Sequence, residues 1–211
     1  NMFRRLELCR DPTQDPFVVY PNLGEDPQQM LADFCALALN APSVAAVMEH
    51  GIYTQFEKLK TLDHYCAPVE SDRRMRCGDD PDLHTIYHLM EYFNKLYVNR
   101  SFRRLPKLYY HSSAPTSEEA LLELLRLGVT QPSIFSFGSD NRTFYVYLLT
   151  ELFRVFGGFK EAMLSLIAIH YIIDAKFDLE VSDVLSFFWC WLGLKTTRLT
   201  KQVRETIKLI N

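Results

Sequence analysis

The apolar segment from Leu148 to Phe156 constrains the fold of this chain more than any other feature. Its apolar side chains recur at the spacing of one helix face, and Arg154 is the single cation within the segment. The apolar members are Leu148, Leu149, Leu152, Phe153, Val155 and Phe156. We therefore predict a core helix that carries one positive charge, followed by further apolar helices down to Asn211. The expected fold class is all-α.

Start signals for other helices occur along the whole chain. Asp26 can accept free backbone N–H groups and Pro27 suits the first helical position, so a helix is predicted to begin there. Its predicted buried stripe consists of Met30, Leu31, Phe34, Cys35 and Leu37. Further helices are predicted after Pro42–Ser43, at Asp80–Asp82, at Ser117, and over 182–192 and 200–210. Residues 1–22 hold three prolines and little periodicity, which predicts an extended arm ahead of a single domain over 23–211.

Length, charge and cysteine content restrict the class of protein. A chain of 211 residues fits one domain that buries roughly 70% of its unfolded surface, so its stability requires neither a metal nor a disulfide. The net charge of −3 argues against a general polyanion binder. The five cysteines are odd in number and lie mostly inside apolar segments, which favours a reducing compartment such as the cytoplasm. The longest apolar run, Met163 to Ile173, is too short to span a bilayer, so no membrane partner is expected.

The order of several motifs resembles the MOB (Mps-one-binder) family, and most closely its phocein branch. The similar segments are Pro21–Asp26, Leu31–Cys35 and Leu39–Asn40 for the family's opening helix, Asp82–Asn94 and Asn99–Pro106 for its middle, and Leu148–Phe156 for its leucine-rich helix. The similarity runs from about Pro21 to Ile210, with an insertion around His111 to Leu127. The resemblance implies a MOB-like helical domain built on a four-helix bundle. It also implies a non-catalytic adaptor.

The family's zinc site is degenerate in this chain. Its cysteine pair falls on His50 and about Tyr53, and its histidine pair falls on Gly158 and Met163. Glycine and methionine side chains do not supply the nitrogen, sulfur or carboxylate ligands that tetrahedral zinc needs. We therefore expect no metal and no other cofactor, and we expect Met163 to be a packing residue.

The family's phosphopeptide pocket is reduced as well. Thr150 and Glu151 stand where two of its three cations are expected, and only Arg154 matches. A carboxylate close to that arginine pairs with it rather than favouring a phosphate. The resemblance places the start of an acidic partner-binding face at Glu25, Asp26 and Asp33. It thus implies that these three carboxylates and Arg154 bind partners, either a kinase regulatory region or a striatin-type phosphatase–kinase assembly (STRIPAK).

Other chemistry-bearing residues form no recognisable catalytic group. Cys66, Cys77, His84 and His88 could offer metal ligands, but a Cys-x10-Cys spacing fits no common zinc finger. No serine or cysteine nucleophile has an identifiable base, and no glycine-rich loop follows a predicted strand. The sequence therefore favours binding over catalysis.

Nucleic-acid binding is the competing hypothesis. Basic residues cluster over 73–76 and 100–107, and the aromatic residues near them are Tyr97, Phe102, Tyr109 and Tyr110. Acidic residues adjoin the first cluster, so we interpret both clusters as solvated faces and keep nucleic-acid binding as the alternative. A docking patch for an acidic protein partner also stays open. The aromatic block of Phe187, Phe188, Trp189 and Trp191 is expected to fill the core.

Overall fold

The chain folds as a mixed α/β structure rather than the all-α domain that the sequence predicted. The computed structural model describes residues 13–62, 81–95, 108–139, 143–179, 181–195 and 199–210. Within them the helices are α1 (Pro16–Val19), α2 (Pro27–Ala38), α3 (Val44–Val47), α4 (Thr54–Leu62), α5 (Pro81–Lys95), α6 (Ser117–Arg126), α7 (Phe159–Ile172), α8 (Ser182–Trp191) and α9 (Lys201–Ile210). A 3-10 turn (Pro21–Leu23) follows α1, and a π-helical turn (Met48–Tyr53) joins α3 to α4. The strands are β1 (Tyr109–Ser112), β2 (Ser133–Phe137), β3 (Tyr145–Leu148) and β4 (Glu151–Arg154). The prediction of an all-α fold is therefore wrong.

The segment predicted as a core helix belongs to a β-hairpin. β3 and β4 pair antiparallel, with Leu148 opposite Glu151 and Tyr145 opposite Arg154. Leu149 at the tip has a φ of 56°, a left-handed conformation that interrupts a helix. Both faces of the hairpin pack against hydrophobic cores, so its apolar residues run almost continuously. Such a run matches helical spacing as well as strand alternation, which explains why the helix prediction for 148–156 is wrong.

The four strands form one mixed sheet in the order β1-β2-β3-β4. β1 and β2 are parallel, with Tyr109 opposite Ile134, and α6 lies in the connection between them. β2 pairs antiparallel with β3, and β3 pairs antiparallel with β4. Within the described residues, β1 and β4 are therefore the two edges of the sheet.

The sheet separates two hydrophobic cores. Side chains alternate along each strand, so Val146 and Phe153 face the larger core while Phe135 and Tyr147 face the smaller one. The larger core lies among α2, α5, α7 and α8, and α7 is buried along most of its length. The smaller core lies under α6 and consists of Ala120, Leu124, Val129, Phe135 and Tyr147. This layering places α6 beside β4 on one side of the sheet, while α2 and α7 line a cleft with β4 on the other.

Several helix starts predicted from the sequence are confirmed. The Asp26 carboxylate accepts the backbone N–H three residues later at 3.0 Å, and Pro27 is the first residue of α2. Ser43 caps α3 in the same way at 3.1 Å. Helices also begin at Pro81 and Ser117, and α8 and α9 match the predicted C-terminal helices. Of the predicted arm, residues 13–22 contain α1 and the 3-10 turn, and residues 1–12 lie outside the described residues.

Candidate functional site

A cleft of about 280 Å³ opens between α2, the β3–β4 hairpin and α7. Its polar lining residues are Gln28, Arg154, Glu161 and Ser165. Its apolar lining residues are Pro27, Met30, Leu31, Val44, Val146, Phe153, Val155, Phe156 and Ile169. Phe156 is 58% exposed, and the Arg154 guanidinium carbon lies 5.6 Å from the centroid of its ring. A concave apolar surface with a few polar groups is the usual form of a ligand-binding site.

The cleft runs beside the outer edge of β4. The Val155 N–H donates to the Phe144 carbonyl at 2.9 Å, which places residues 144 and 155 in a hydrogen-bonded pair. Such pairs alternate along an antiparallel ladder, so Phe153 and Glu151 also point their backbone groups toward β3. The N–H and C=O groups of Leu152 and Arg154 therefore point away from β3. No other described strand pairs with them.

Glu161 forms the polar end of the cleft. One of its carboxylate oxygens accepts the Gly158 N–H at 2.8 Å, and the other accepts the Tyr53 hydroxyl at 2.5 Å. Gly157 has a φ of 131°, and a Cβ there would lie 2.7 Å from the Glu161 Cγ, so only glycine lets the Glu161 side chain fold back in this way. The hydrogen bond to Glu161, and then burial, raises the pKa of Tyr53 to about 12. Glu161 is thus held at a fixed position in the cleft wall.

A charge network beneath Tyr53 fastens three helices together. Lys160 on α7 lies 3.2 Å from Asp82 on α5, and Lys60 on α4 lies 3.5 Å from the same carboxylate. Lys60 also contacts Glu57 at 2.7 Å, and this contact lowers the pKa of the Glu57 carboxyl. Lys160 additionally sits 5.1 Å from the centroid of the Tyr53 ring. The two lysines of this network balance its two carboxylates. Glu161 is not part of the network, and its carboxylate lines the cleft.

The structure separates the partner-binding residues that the sequence predicted. Glu25 and Asp26 are exposed and immediately precede Pro27, which lines the cleft, and Arg154 is exposed on β4 at the same cleft. Asp33 is only 7% exposed. Its carboxylate accepts hydrogen bonds from the Tyr20 hydroxyl and, at 2.8 Å, from the Gln29 side chain. Glu25, Asp26 and Arg154 therefore share a neighbourhood, while Asp33 holds the segment before α2 onto that helix.

Three of the four positions of the degenerate zinc site are exposed, and the fourth lies in the larger core. His50 and Tyr53 are exposed in the π-helical turn, and Gly158 precedes α7 as its N-terminal cap. Met163 is buried in the larger core, which confirms its prediction as a packing residue. Among the described residues, no group of three or more potential metal ligands lies close enough to hold an ion. Cys66 and Cys77 lie outside the described residues, as do the side chains of His84 and His88.

Both basic clusters of the nucleic-acid hypothesis, 73–76 and 100–107, lie outside the described residues. Of the aromatic residues assigned to that hypothesis, Tyr109 is buried in the larger core and Tyr110 packs against the smaller one. In the predicted aromatic block of α8, Phe187 and Phe188 are fully buried, and the two tryptophans are partly buried against them. These rings therefore serve mainly to pack the protein.

Sequence reasoning missed Glu161, Tyr53 and Phe156. A Gly-Gly pair followed by a glutamate three residues later is a recognisable helix start, so the position of Glu161 at the start of α7 was accessible from the sequence. Its contact with Tyr53 joins residues far apart in the chain, and no local pattern indicates it. Phe156 was assigned to a helix core because the hairpin was not recognised.

No protein-family model, curated protein or solved structure matches this chain. Among the described helices, none combines the length and apolar character needed to cross a bilayer. The function must therefore be inferred from the site itself.

Proposed function

We propose that this chain is a non-catalytic adaptor domain that binds an extended segment of a partner protein. The segment adds as a strand to the outer edge of β4 and inserts one apolar side chain into the adjoining cleft. The observation that carries the proposal is the juxtaposition of the 280 Å³ cleft with the outer edge of β4, with which no other described strand pairs. In strand addition, main-chain hydrogen bonds supply affinity and a neighbouring pocket selects the side chain.

The charges near the cleft favour a basic segment. Glu25, Asp26, Glu151 and Glu161 lie on or next to its lining elements. Arg154 also lines the cleft, whereas Lys160 on α7 is paired with Asp82. Lysine or arginine residues that flank the apolar anchor would meet these carboxylates. The side chains at the cleft suit noncovalent recognition, because they are mainly aliphatic and aromatic.

The identity of the partner stays a prediction. A kinase regulatory region or a striatin-type scaffold follows from the sequence resemblance alone. A cytoplasmic location belongs to the same proposal. It is supported by the free thiols of Cys35 and Cys190, and burial raises the pKa of the Cys35 thiol to about 11, which makes that group unreactive.

Peptide display followed by two matched substitutions tests the binding mode. Short random peptides are selected on the immobilised domain, and the affinity of a selected peptide is then measured by fluorescence anisotropy. Arg154→Pro removes an N–H that points away from β3, so the hairpin keeps its own hydrogen bonds. We expect it to weaken the peptide about tenfold relative to Arg154→Ala, which keeps the N–H. Equal affinities for the two variants would overturn strand addition.

A second pair of variants tests the cleft. Val44→Trp places a large ring in the cleft lining, whereas Val44→Ile adds one methylene at the same position. We expect the tryptophan variant to lose peptide binding and the isoleucine variant to keep it, with unchanged circular dichroism for both. Glu25→Lys is expected to weaken binding of a basic peptide and to reduce its dependence on salt. A peptide that binds all three variants equally well would show that it binds elsewhere.

A further inference from the structure

The outer face of α6 is a second apolar surface, on the opposite side of the sheet from the cleft. Ala120 and Leu124 face the smaller core, while Leu122 is 53% exposed and Leu125 is 45% exposed. Leu122 lies on the side of the helix opposite to those buried residues, since positions two apart in an α-helix differ by about 200°. An isolated exposed leucine is ordinary, but Leu122 and Leu125 are three residues apart, so they lie side by side and form a short apolar strip on the outer face of α6.

Charged residues of opposite sign flank this strip. Glu118 lies one turn before Leu122, and Arg126 lies one turn after it. Both side chains are exposed, and neither forms an ion pair with another described residue. The face therefore carries a negative end, an apolar centre and a positive end.

This charge pattern is self-complementary under a twofold rotation. If two α6 helices pack antiparallel about a twofold axis through Leu122, each Glu118 lies opposite Arg126 of the second copy. The two Leu122 side chains then meet at the axis, and each Leu125 lies opposite Glu119 of the second copy, so the Leu122 pair is the apolar centre of the seam. The antiparallel arrangement also places the positive end of each helix dipole beside the negative end of the other.

We propose that the outer face of α6 is the seam of a homodimer with two symmetric Glu118–Arg126 contacts. A single ten-residue helix buries less area than a standard stable interface, so the dimer belongs to the weak class. Most of the cleft lining faces the larger core on the other side of the sheet, and the seam uses only the outer face of α6, so each copy keeps its cleft free. This self-association is independent of the peptide-binding function and would present two clefts on one assembly.

Sedimentation equilibrium up to about 200 µM, where weak interfaces are populated, tests the proposal. The wild-type chain is expected to show a concentration-dependent dimer. Leu122→Glu is expected to leave only monomer, because it places two carboxylates at the axis. A monomeric wild type, or a dimer that Leu122→Glu leaves intact, would overturn the proposal.

Charge reversal provides a sharper test that does not depend on stability. Glu118→Arg creates two Arg–Arg contacts and Arg126→Glu creates two Glu–Glu contacts, so each variant alone is expected to dimerise at least about tenfold more weakly. A mixture of the two variants restores both attractive contacts, and we expect it to form a heterodimer. Arg204→Glu, which makes the same charge change on the exposed face of α9, is the control partner for Glu118→Arg and should not restore dimerisation. Equal heterodimer formation with either partner would show general charge attraction and overturn the specific seam.

Discussion

Acidification should destabilise this protein through His170. Its imidazole is 1% exposed near the end of α7, and its Nδ1 lies 3.2 Å from the Ala175 carbonyl oxygen. Its ring also lies 5.0 Å from that of Phe177 in an edge-to-face arrangement. Burial lowers the pKa of His170 from 6.5 to about 4, although the nearby Ala175 and Pro132 carbonyls act in the opposite direction. The folded state therefore holds this histidine neutral.

The sign and size of the effect follow from linkage. The unfolded chain takes up the proton at about pH 6.5, whereas the folded chain resists it down to about pH 4. The contribution of His170 is thus fully present above pH 6.5 and is lost as the pH falls toward 4. A difference of about 2.5 pKa units corresponds to about 3 kcal/mol of unfolding free energy, a large fraction of the stability of an ordinary domain.

Urea unfolding at several pH values measures this loss, with the fluorescence of Trp189 and Trp191 as the signal. Trp189 packs 5.3 Å from Phe177, the ring that contacts His170, so it reports on this part of the core. His170→Gln removes the titrating group and should flatten the curve between about pH 6.5 and pH 4.5. His50→Gln, a change at an exposed histidine, is the matched control and should follow the wild type. If the unfolding free energies of the wild type and of His170→Gln fall equally as the pH is lowered, the reasoning is refuted.

Two further substitutions test structural features described above, each by urea unfolding. Asp33→Asn should lower the unfolding free energy by about 2 kcal/mol, because an amide replaces the carboxylate that accepts from both the Tyr20 hydroxyl and the Gln29 side chain. An unchanged unfolding midpoint would contradict a stabilising role for this carboxylate. Leu149→Gly should raise the unfolding free energy by up to about 1 kcal/mol, since the left-handed conformation costs an L-residue more than glycine loses in chain entropy. Leu149→Ala keeps the Cβ and the strain, so a gain of the same size in that control would contradict the explanation.

Local signals were sufficient to predict many helices but not the sheet. The carboxylate of Asp26 followed by proline, and Ser43 after proline, act on backbone groups within one turn, so the sequence alone indicates where α2 and α3 begin. The hairpin of β3 and β4 depends on tertiary context instead. Its two faces are buried against different layers, and burial on both sides removes the polar alternation that identifies a strand.

The candidate site was predicted only where it lies close to such local signals. Glu25, Asp26 and Arg154 lie near the cleft, but Asp33 belongs to a buried hydrogen-bonded group. The sequence around Asp33 does not indicate that its carboxylate is buried. The outer edge of β4 could not be predicted while the segment was assigned to a helix. Glu161 and Tyr53 meet only because α7 packs against the π-helical turn, and such a contact requires the fold.

The unequal size of the two cores has a consequence for local motion. Among the described residues, the layer of α6 is held by five buried side chains and the partly buried ones around them, while the other side of the sheet is held by a core that includes α2, α5, α7 and α8. Cooperative units that bury little apolar surface open at a lower free-energy cost than the whole domain. Backbone amides of α6 should therefore exchange with solvent through a local opening, while those of α7 exchange only when the entire domain unfolds.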